Sequence, residues 1–373
     1  MSSMSSTSRR PAYAAALQPQ LEKIAKDLLV TGAVVMVQTP SDGTWTMTMG
    51  TRTYRGTDPV QITDYVRIGS VTKTMTGTVV LQLADEGKLA LTDPISKYVD
   101  GIPNGKNITV AQLLGMRSGL ANYTTTRALN KALDEDPTRV WTPKQLLALA
   151  FASPPTAAPG KAFEYSNTNT VILGLLIEKL TGMPVSKAFQ QRIFDRLGMA
   201  KSSMPAITDN QLPAPHPQGY TYGTNIETLE GNELPAALQA AAKAGTRAPL
   251  DVTEVNPSWG WTAGAGISTA GDLATYVKAL VGGGLLSAKL QQQRLASVVP
   301  AYPGNPASAS YGWALAKFGP LYGHTGELPG YNTFAGYDPV RHITVVVWAS
   351  LAPAPDGQAP AVTMAKQIIT DLY

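Results

Sequence analysis

"RIGSVTKTMTG", residues 67–77, sets a lysine three positions after a serine in a stretch otherwise apolar, small or hydroxylic. A helix places positions i and i+3 on one face. Ser70 and Lys73 then stand side by side at the start of a helix that runs from about Ser70 to Glu86, with Gly87 closing it. Upstream, "GAVVMVQT" and "TWTMTMGTRT" read as two strands joined by a Ser-Asp-Gly turn, and residues 13–29 carry helical apolar spacing. Downstream, from residue 88 to about 250, the signals are mainly helical. "TVAQLLGM" and "TPKQLLALAFA" start on a capping threonine, and "SNTNTVILGLLIEKLTG" is a long apolar helix ending at Gly182. Residues 201–258 read as long loops with one Ala-rich helix at 234–244. After residue 260 comes the helix "STAGDLATYVKALVGGG". The aromatic and β-branched runs "YGWALAKF", "YNTFAGYD" and "HITVVVWASL" follow, then a helix over 359–373. Strands at both ends around a helical middle imply one α/β domain, residues 13–87 with 255–373, and an inserted mostly helical domain, 88–254. Residues 1–12 are expected to be disordered.

The chain has 373 residues, of which 44% are hydrophobic and 15% charged, so it has a globular composition with ample core. A formal charge of +4 with no basic block or stripe argues against nucleic acid as a partner. There is no cysteine, hence no disulfide, thiolate nucleophile or Cys-ligated metal. His216, His324 and His342 lie far apart and no HExxH occurs, so neither a metal nor a cofactor is expected. No run of about 18 apolar residues suggests a membrane span. "MSSMSSTSRRP" opens the chain with no apolar segment behind it. The expectation is an exported protein whose signal has been removed, with a cytosolic one as the alternative.

Three short motifs carry chemistry. Ser70-Val71-Thr72-Lys73 occurs once, and ordinary composition gives roughly one such match in a chain of this length. A serine hydroxyl is a poor nucleophile until a base takes its proton, and a lysine can be that base once burial lowers its pKa. The helix N-terminus adds N–H groups for an oxyanion. Tyr165-Ser166-Asn167 also occurs once, just ahead of the long apolar helix. Alone it reads as a core aromatic and a helix cap; beside Ser-x-x-Lys, Tyr165 becomes a proton shuttle and Asn167 a contact for the acyl side chain. His324-Thr325-Gly326 enters the strand region near 331, where a glycine lets a substrate approach the strand edge. Its alternative is a hairpin turn with a chance histidine. The three motifs stand in one order and in three different structural contexts.

With these motifs the chain resembles the serine β-lactamase and DD-peptidase (penicillin-binding protein) family, including the class C enzymes. The likeness runs from about residue 14 to 373 through "RIGSVTKTMTGTVVLQLADEGKLALTDPISKYV", "EYSNTNTVILGLLIEKLTG", "SWGWTAGAGISTAGDLATYVKAL" and "LYGHTGELPGYNTFAGY". It looks closest to the secreted D-alanyl-D-alanine carboxypeptidase type. The resemblance implies an α+β sandwich, with an antiparallel sheet flanked by helices from both termini, and an enzyme acting on a small acyl, peptide or β-lactam substrate; a monomer is expected. It implies Ser70 as acylated nucleophile, Lys73 as base, Tyr165 as general base or relay, and Asn167 as a contact of substrate and lysine. His324, Thr325 and Gly326 take the place of the family's Lys-Thr-Gly strand. The N–H groups of Ser70 and Glu327 form the oxyanion hole, and Trp259 walls the cleft.

The departures bear on substrate. The dedicated carboxypeptidases carry an arginine on the preceding strand and a threonine just after the motif, and both grip the terminal carboxylate. Here the strand reads Tyr311-Gly312-Trp313-Ala314-Leu315-Ala316-Lys317, and Glu327 follows the motif. An anion stands where an anion should bind. Lys317 is the candidate to compensate, as a point charge without an arginine's fork. "GMRSGL" replaces the common "THTSGL" turn. The expected function is therefore a serine acyl-transfer hydrolase, D-alanyl-D-alanine carboxypeptidase or β-lactamase-like. An esterase or amidase on the same scaffold, and a penicillin-binding sensor that acylates without turnover, are the alternatives.

Overall fold

A computed structural model describes residues 10–302 and 309–373. Of the segment expected to be disordered, residues 1–9 lie outside the described residues, and Pro11 already precedes helix α1 (Ala12–Asp27). Ala14, Leu17, Leu21 and Ala25 form its buried stripe. Strands β1 (Gly32–Thr39) and β2 (Gly43–Gly50) make the expected hairpin, with Gly43 at φ +72° in the turn.

Among the described residues these strands belong to an eight-stranded antiparallel sheet. Its other strands are β3 (Val299–Pro300), β4 (Ser310–Tyr311), β5 (Ala316–Phe318), β6 (Leu321–Leu328), β7 (Tyr331–Asp338) and β8 (Ile343–Ala349). The spatial order is β2-β1-β8-β7-β6-β5-β4-β3. The central join pairs opposite ends of the chain, in a register that runs from Ala33 opposite Ala349 to Gln38 opposite Thr344. Both faces of that join are covered, which is why β1 and β8 are nearly continuous hydrophobic runs. Val35, Val37, Val345 and Val347 face α1 and the last helix, α6 (Pro360–Leu372), through Leu17, Leu21, Met364 and Ile368. Val34, Met36, Val346 and Trp348 face the opposite way, into the larger core with helix α2 (Val71–Asp85) and helix α5 (Ala270–Gly282). Each such side chain contributes roughly 1.5–3 kcal/mol on burial.

Helix α2 is buried from Val71 to Leu83. A helix this rich in threonine can sit in the core only if the hydroxyls find partners. Thr74 donates to the Val71 carbonyl (2.7 Å), Thr78 to that of Thr74 (2.8 Å) and Thr76 to that of Thr262 (2.7 Å). Against α2 packs α4 (Asn167–Thr181), closed by Gly182 at φ +66°. A further helix, α3 (Arg127–Glu135), starts on a Thr126 cap. The Ala-rich helix spans Ala236–Lys243, and the loops around it contain one short strand pair, Tyr220–Thr221 with Leu250–Asp251.

Two expectations change. "YGWALAKF" is not one strand: it breaks into β4 and β5 around a turn in which Ala314 takes φ +49° and donates to the Leu114 carbonyl at 2.8 Å. And His324-Thr325-Gly326 does not enter a strand near 331. It occupies the middle of β6, which begins at Leu321 and whose pattern is masked by the glycines at 319, 323 and 326.

Candidate active site

Ser70 takes the N-cap position of α2, yet its hydroxyl makes no cap hydrogen bond. That leaves Oγ available. Lys73 follows one turn later, fully buried, with Nζ 2.7 Å from Ser70 Oγ; it also donates to the Ala263 carbonyl at 2.8 Å. Burial holds the Lys73 amine well below its usual range. Among the described residues no carboxylate pairs with it, so burial favours the uncharged form, the one that can accept a proton. Tyr165 reaches the same spot from the loop before α4. Its ring centroid lies 4.9 Å from Lys73 Nζ, and its phenol is hydrogen-bonded to the Ser70 hydroxyl. Burial raises the phenol's pKa and the serine contact opposes the rise.

The strand β6 closes the site from the other side. β5 pairs only with Leu321, Tyr322 and Gly323, so the edge at Thr325–Glu327 has no strand partner there. It abuts the start of α2. Gly69 has φ +53°, and a Cβ on it would lie 2.4 Å from the Glu327 nitrogen. A Cβ on Gly326 would lie 1.9 Å from the Ile68 carbonyl oxygen and 3.2 Å from the Ser70 nitrogen. Two glycines thus permit the backbone contact that sets the N–H groups of Ser70 and Glu327 side by side. Asn332, buried on β7, braces this strand: Nδ2 donates to the Gly326 carbonyl (3.0 Å), and Oδ1 accepts from Ala361 N (2.8 Å) at the start of α6.

His324 is buried behind the lysine. It is 3.1 Å from the Tyr311 hydroxyl through Nε2, and its ring centroid lies 5.6 Å from that of Tyr311 and 6.2 Å from that of Tyr165. Burial, with Lys73 and Arg294 nearby, pushes its imidazole down to about 3. A neutral ring therefore stands where the resembled family has a lysine. Thr325 is half-buried and, by strand alternation, points to the other face of β6.

A cleft of about 280 Å³ opens at Ser70. Asn167, Trp259 and Glu327 line it; His324, Thr325 and Gly326 do not. Two of the expected contacts differ. Asn167 donates to Thr124 Oγ1 (2.9 Å) and Asn122 Oδ1 (3.3 Å), while Lys73 turns to Ala263 instead of Asn167. Lys317 is not brought to the cleft. Its ammonium sits 4.8 Å above the ring of Tyr322, its register partner on β6. Glu327 has an exposed side chain at the cleft, and desolvation beside the cleft walls pushes its carboxyl up to about 7.

Several site groups have no sequence signal of their own. The Ala263 acceptor is a backbone carbonyl. Met116, at φ +57° in the "GMRSGL" turn, packs beneath Tyr165 and Tyr311. Arg294 is fully buried without a carboxylate partner among the described residues. It donates to the carbonyls of Trp313 (3.0 Å), Thr74 (3.1 Å) and Ala314 (3.1 Å) and to Thr78 Oγ1 (2.7 Å). It thereby ties α2 to the turn before β5. Among the described residues no group of three or more metal-ligating side chains converges, and no helix is long and apolar enough to cross a membrane.

Comparison with known proteins agrees with this geometry. Residues 21–367 match the family described as Beta-lactamase. The putative penicillin-binding protein PbpX of Bacillus subtilis is 24% identical over 284 residues, which span 76% of this chain and 61% of that protein. The solved D-stereospecific amidohydrolase of a Streptomyces species superposes with a TM-score of 0.79 at 32% identity, covering 95% of this chain and 98% of that one. The D-amino acid amidase of Ochrobactrum anthropi SV3 shares the fold, with a TM-score of 0.78 at 23% identity over 95% of this chain and 98% of that one. These relatives lend no support to a special closeness to the D-alanyl-D-alanine carboxypeptidases. The sheet assembled from both termini, the serine–lysine–tyrosine contact at its edge and the match over most of the chain lead to one conclusion: the chain belongs to the Beta-lactamase family and is a serine hydrolase.

Proposed function

We propose that this chain is an amidohydrolase that cleaves amides of D-amino acids bearing a free α-ammonium group, through an acyl-enzyme on Ser70. One observation carries this reading. Glu327 is the only carboxylate among the residues that line the cleft, and no lysine, arginine or histidine lines it. A D-Ala-D-Ala terminus or an opened β-lactam brings a carboxylate, which would meet like charge and no cation. A free ammonium meets opposite charge. Support for an amide and for the D configuration comes from the likeness to the Streptomyces amidohydrolase.

In this reading Ser70 Oγ attacks the amide carbon while Lys73 Nζ takes its proton. The N–H groups of Ser70 and Glu327 meet the negative oxygen that develops. Tyr165 passes a proton to the departing nitrogen, which leaves as ammonia or an amine. Water, deprotonated by the same pair, then cleaves the Ser70 ester and releases the amino acid. Every group comes from one chain, so a monomer suffices.

The test is a substrate panel: D-phenylalanine amide, its N-acetyl derivative, p-nitrophenyl acetate and a D-Ala-D-Ala peptide. Preference for the free-amine amide is expected. Peptide cleavage as the main activity would overturn the reading. Ester turnover with no amide turnover would replace it with an esterase, and a stable penicillin adduct without product would replace it with a sensor.

A further inference from the structure

One wall of the cleft is α3, which supplies Leu129 and Leu133; the facing wall is the segment 221–232, which supplies Thr228 and Leu229. That segment holds little regular structure, yet it is fastened on both sides. Asp134, the residue after Leu133, accepts three hydrogen bonds from it: from Asn225 N (2.8 Å), Asn225 Nδ2 (2.7 Å) and Ile226 N (2.9 Å). On the far side Glu227 accepts from Thr224 N (2.8 Å) and pairs with Arg247 (3.3 Å), whose Nε donates to the Tyr222 carbonyl (2.8 Å). Three peptide or amide donors converging on one carboxylate is an expensive arrangement for an ordinary loop, since each ordered residue costs roughly 1–2 kcal/mol of backbone entropy. Leu229 and the α3 leucines line the same cleft, whose volume is about 280 Å³. That lies at the small end of ligand pockets, which run from ~300 to ~1,000 Å³.

We infer that Asp134 is a positioning residue that sets acyl size. By pinning the 221–232 segment it makes Leu129, Leu133 and Leu229 the boundary of a subsite for a single apolar side chain. Longer acyl groups and peptides are shut out. The subsite begins beside Asn167, whose amide is held by Thr124 just ahead of α3. This deepens the proposed function and rests on it only in placing the acyl group in the cleft at Ser70.

The test uses the full chain and a ladder of methyl, butyl and octyl p-nitrophenyl phosphonates, which carry no ammonium. The rate of labelling at Ser70 is followed by intact mass for wild type, Asp134→Ala, Asp134→Asn, Leu229→Ala and Leu229→Phe. The octyl-to-methyl ratio should rise at least about tenfold in Asp134→Ala and Leu229→Ala and fall in Leu229→Phe. Asp134→Asn keeps one acceptor oxygen and should lie between. A merely structural Asp134 would lower all three rates together and leave the ratio unmoved. An unchanged ratio in Asp134→Ala, or in the Leu229 variants, overturns the inference, as does a failure of the wild type to label. Shifted ratios in a chain that cleaves no aminoacyl amide would uphold the subsite while removing the ammonium reading.

Discussion

Replacing Glu327 with glutamine keeps the side chain's size and the backbone N–H beside Ser70 and removes only the charge. An ammonium about 4 Å from the carboxylate gains ~4 kcal/mol at an effective dielectric of 20 and ~1 kcal/mol in bulk water. Glu327 is exposed to the cleft solvent, so the gain belongs near the lower end, about 1–2 kcal/mol. That is a factor of roughly 5–30 in kcat/KM. The assay compares D-phenylalanine p-nitroanilide with its N-acetyl derivative. Glu327→Gln should lose that factor on the free amine and nothing comparable on the acetylated substrate. pH sharpens the comparison. The carboxyl, pushed up to about 7, is charged only above that pH, and an α-ammonium survives only below about 8. Wild type should therefore show a narrow bell for the free amine and not for the acetylated substrate, and the glutamine variant should lose the acid limb. A ratio unchanged in the variant, or a bell that persists in it, would refute the reasoning.

Three further outcomes are expected. Ser70→Ala should abolish turnover with the melting temperature, read by thermal denaturation, within a few degrees of wild type, since that side chain carries chemistry and no packing. Tyr165→Phe should slow acylation and deacylation alike, by about a hundredfold in single-turnover and steady-state rates, where a change in KM alone would make it a mere contact. Arg294→Met strands the carbonyls of Thr74, Trp313 and Ala314 and should lower unfolding free energy by about 3 kcal/mol or more in urea titration. A loss below about 1 kcal/mol would show that the arginine does not brace α2.

The parts of the site that sequence made legible are those set by local periodicity. Ser70 and Lys73 meet because a helix brings i and i+3 together, and both fall within one run of eleven residues. Tyr165 was recognisable by motif, although its approach to Lys73 depends on tertiary packing that no spacing encodes. What stayed hidden depends on register or on main chain. Lys317 was expected at the cleft, but the sheet register sets it opposite Tyr322, and register is not encoded in local spacing. Tyr311 meets His324 across the sheet, and a carbonyl at Ala263 carries no side-chain signature at all. The fold followed the same division. Helix caps at Thr109 and Thr142 were readable because each cap is local. The beginning of β6 was not, because three glycines hide the alternation.

The sheet's central seam joins residues more than three hundred positions apart, Ala33 with Ala349, and Gln20 of α1 reaches Asp371 of α6 at 2.9 Å. A nascent polypeptide that has not yet extended past β6 lacks Gly326 and Glu327, so the serine and its lysine emerge from the ribosome long before the oxyanion hole is complete. Synthesis itself thus delays the completed site until the last sheet strands are made. Because the first and last helices already touch, splicing them by a short linker and opening the molecule at an exposed loop elsewhere should give a circular permutant that retains the fold while changing the order in which its catalytic parts are born.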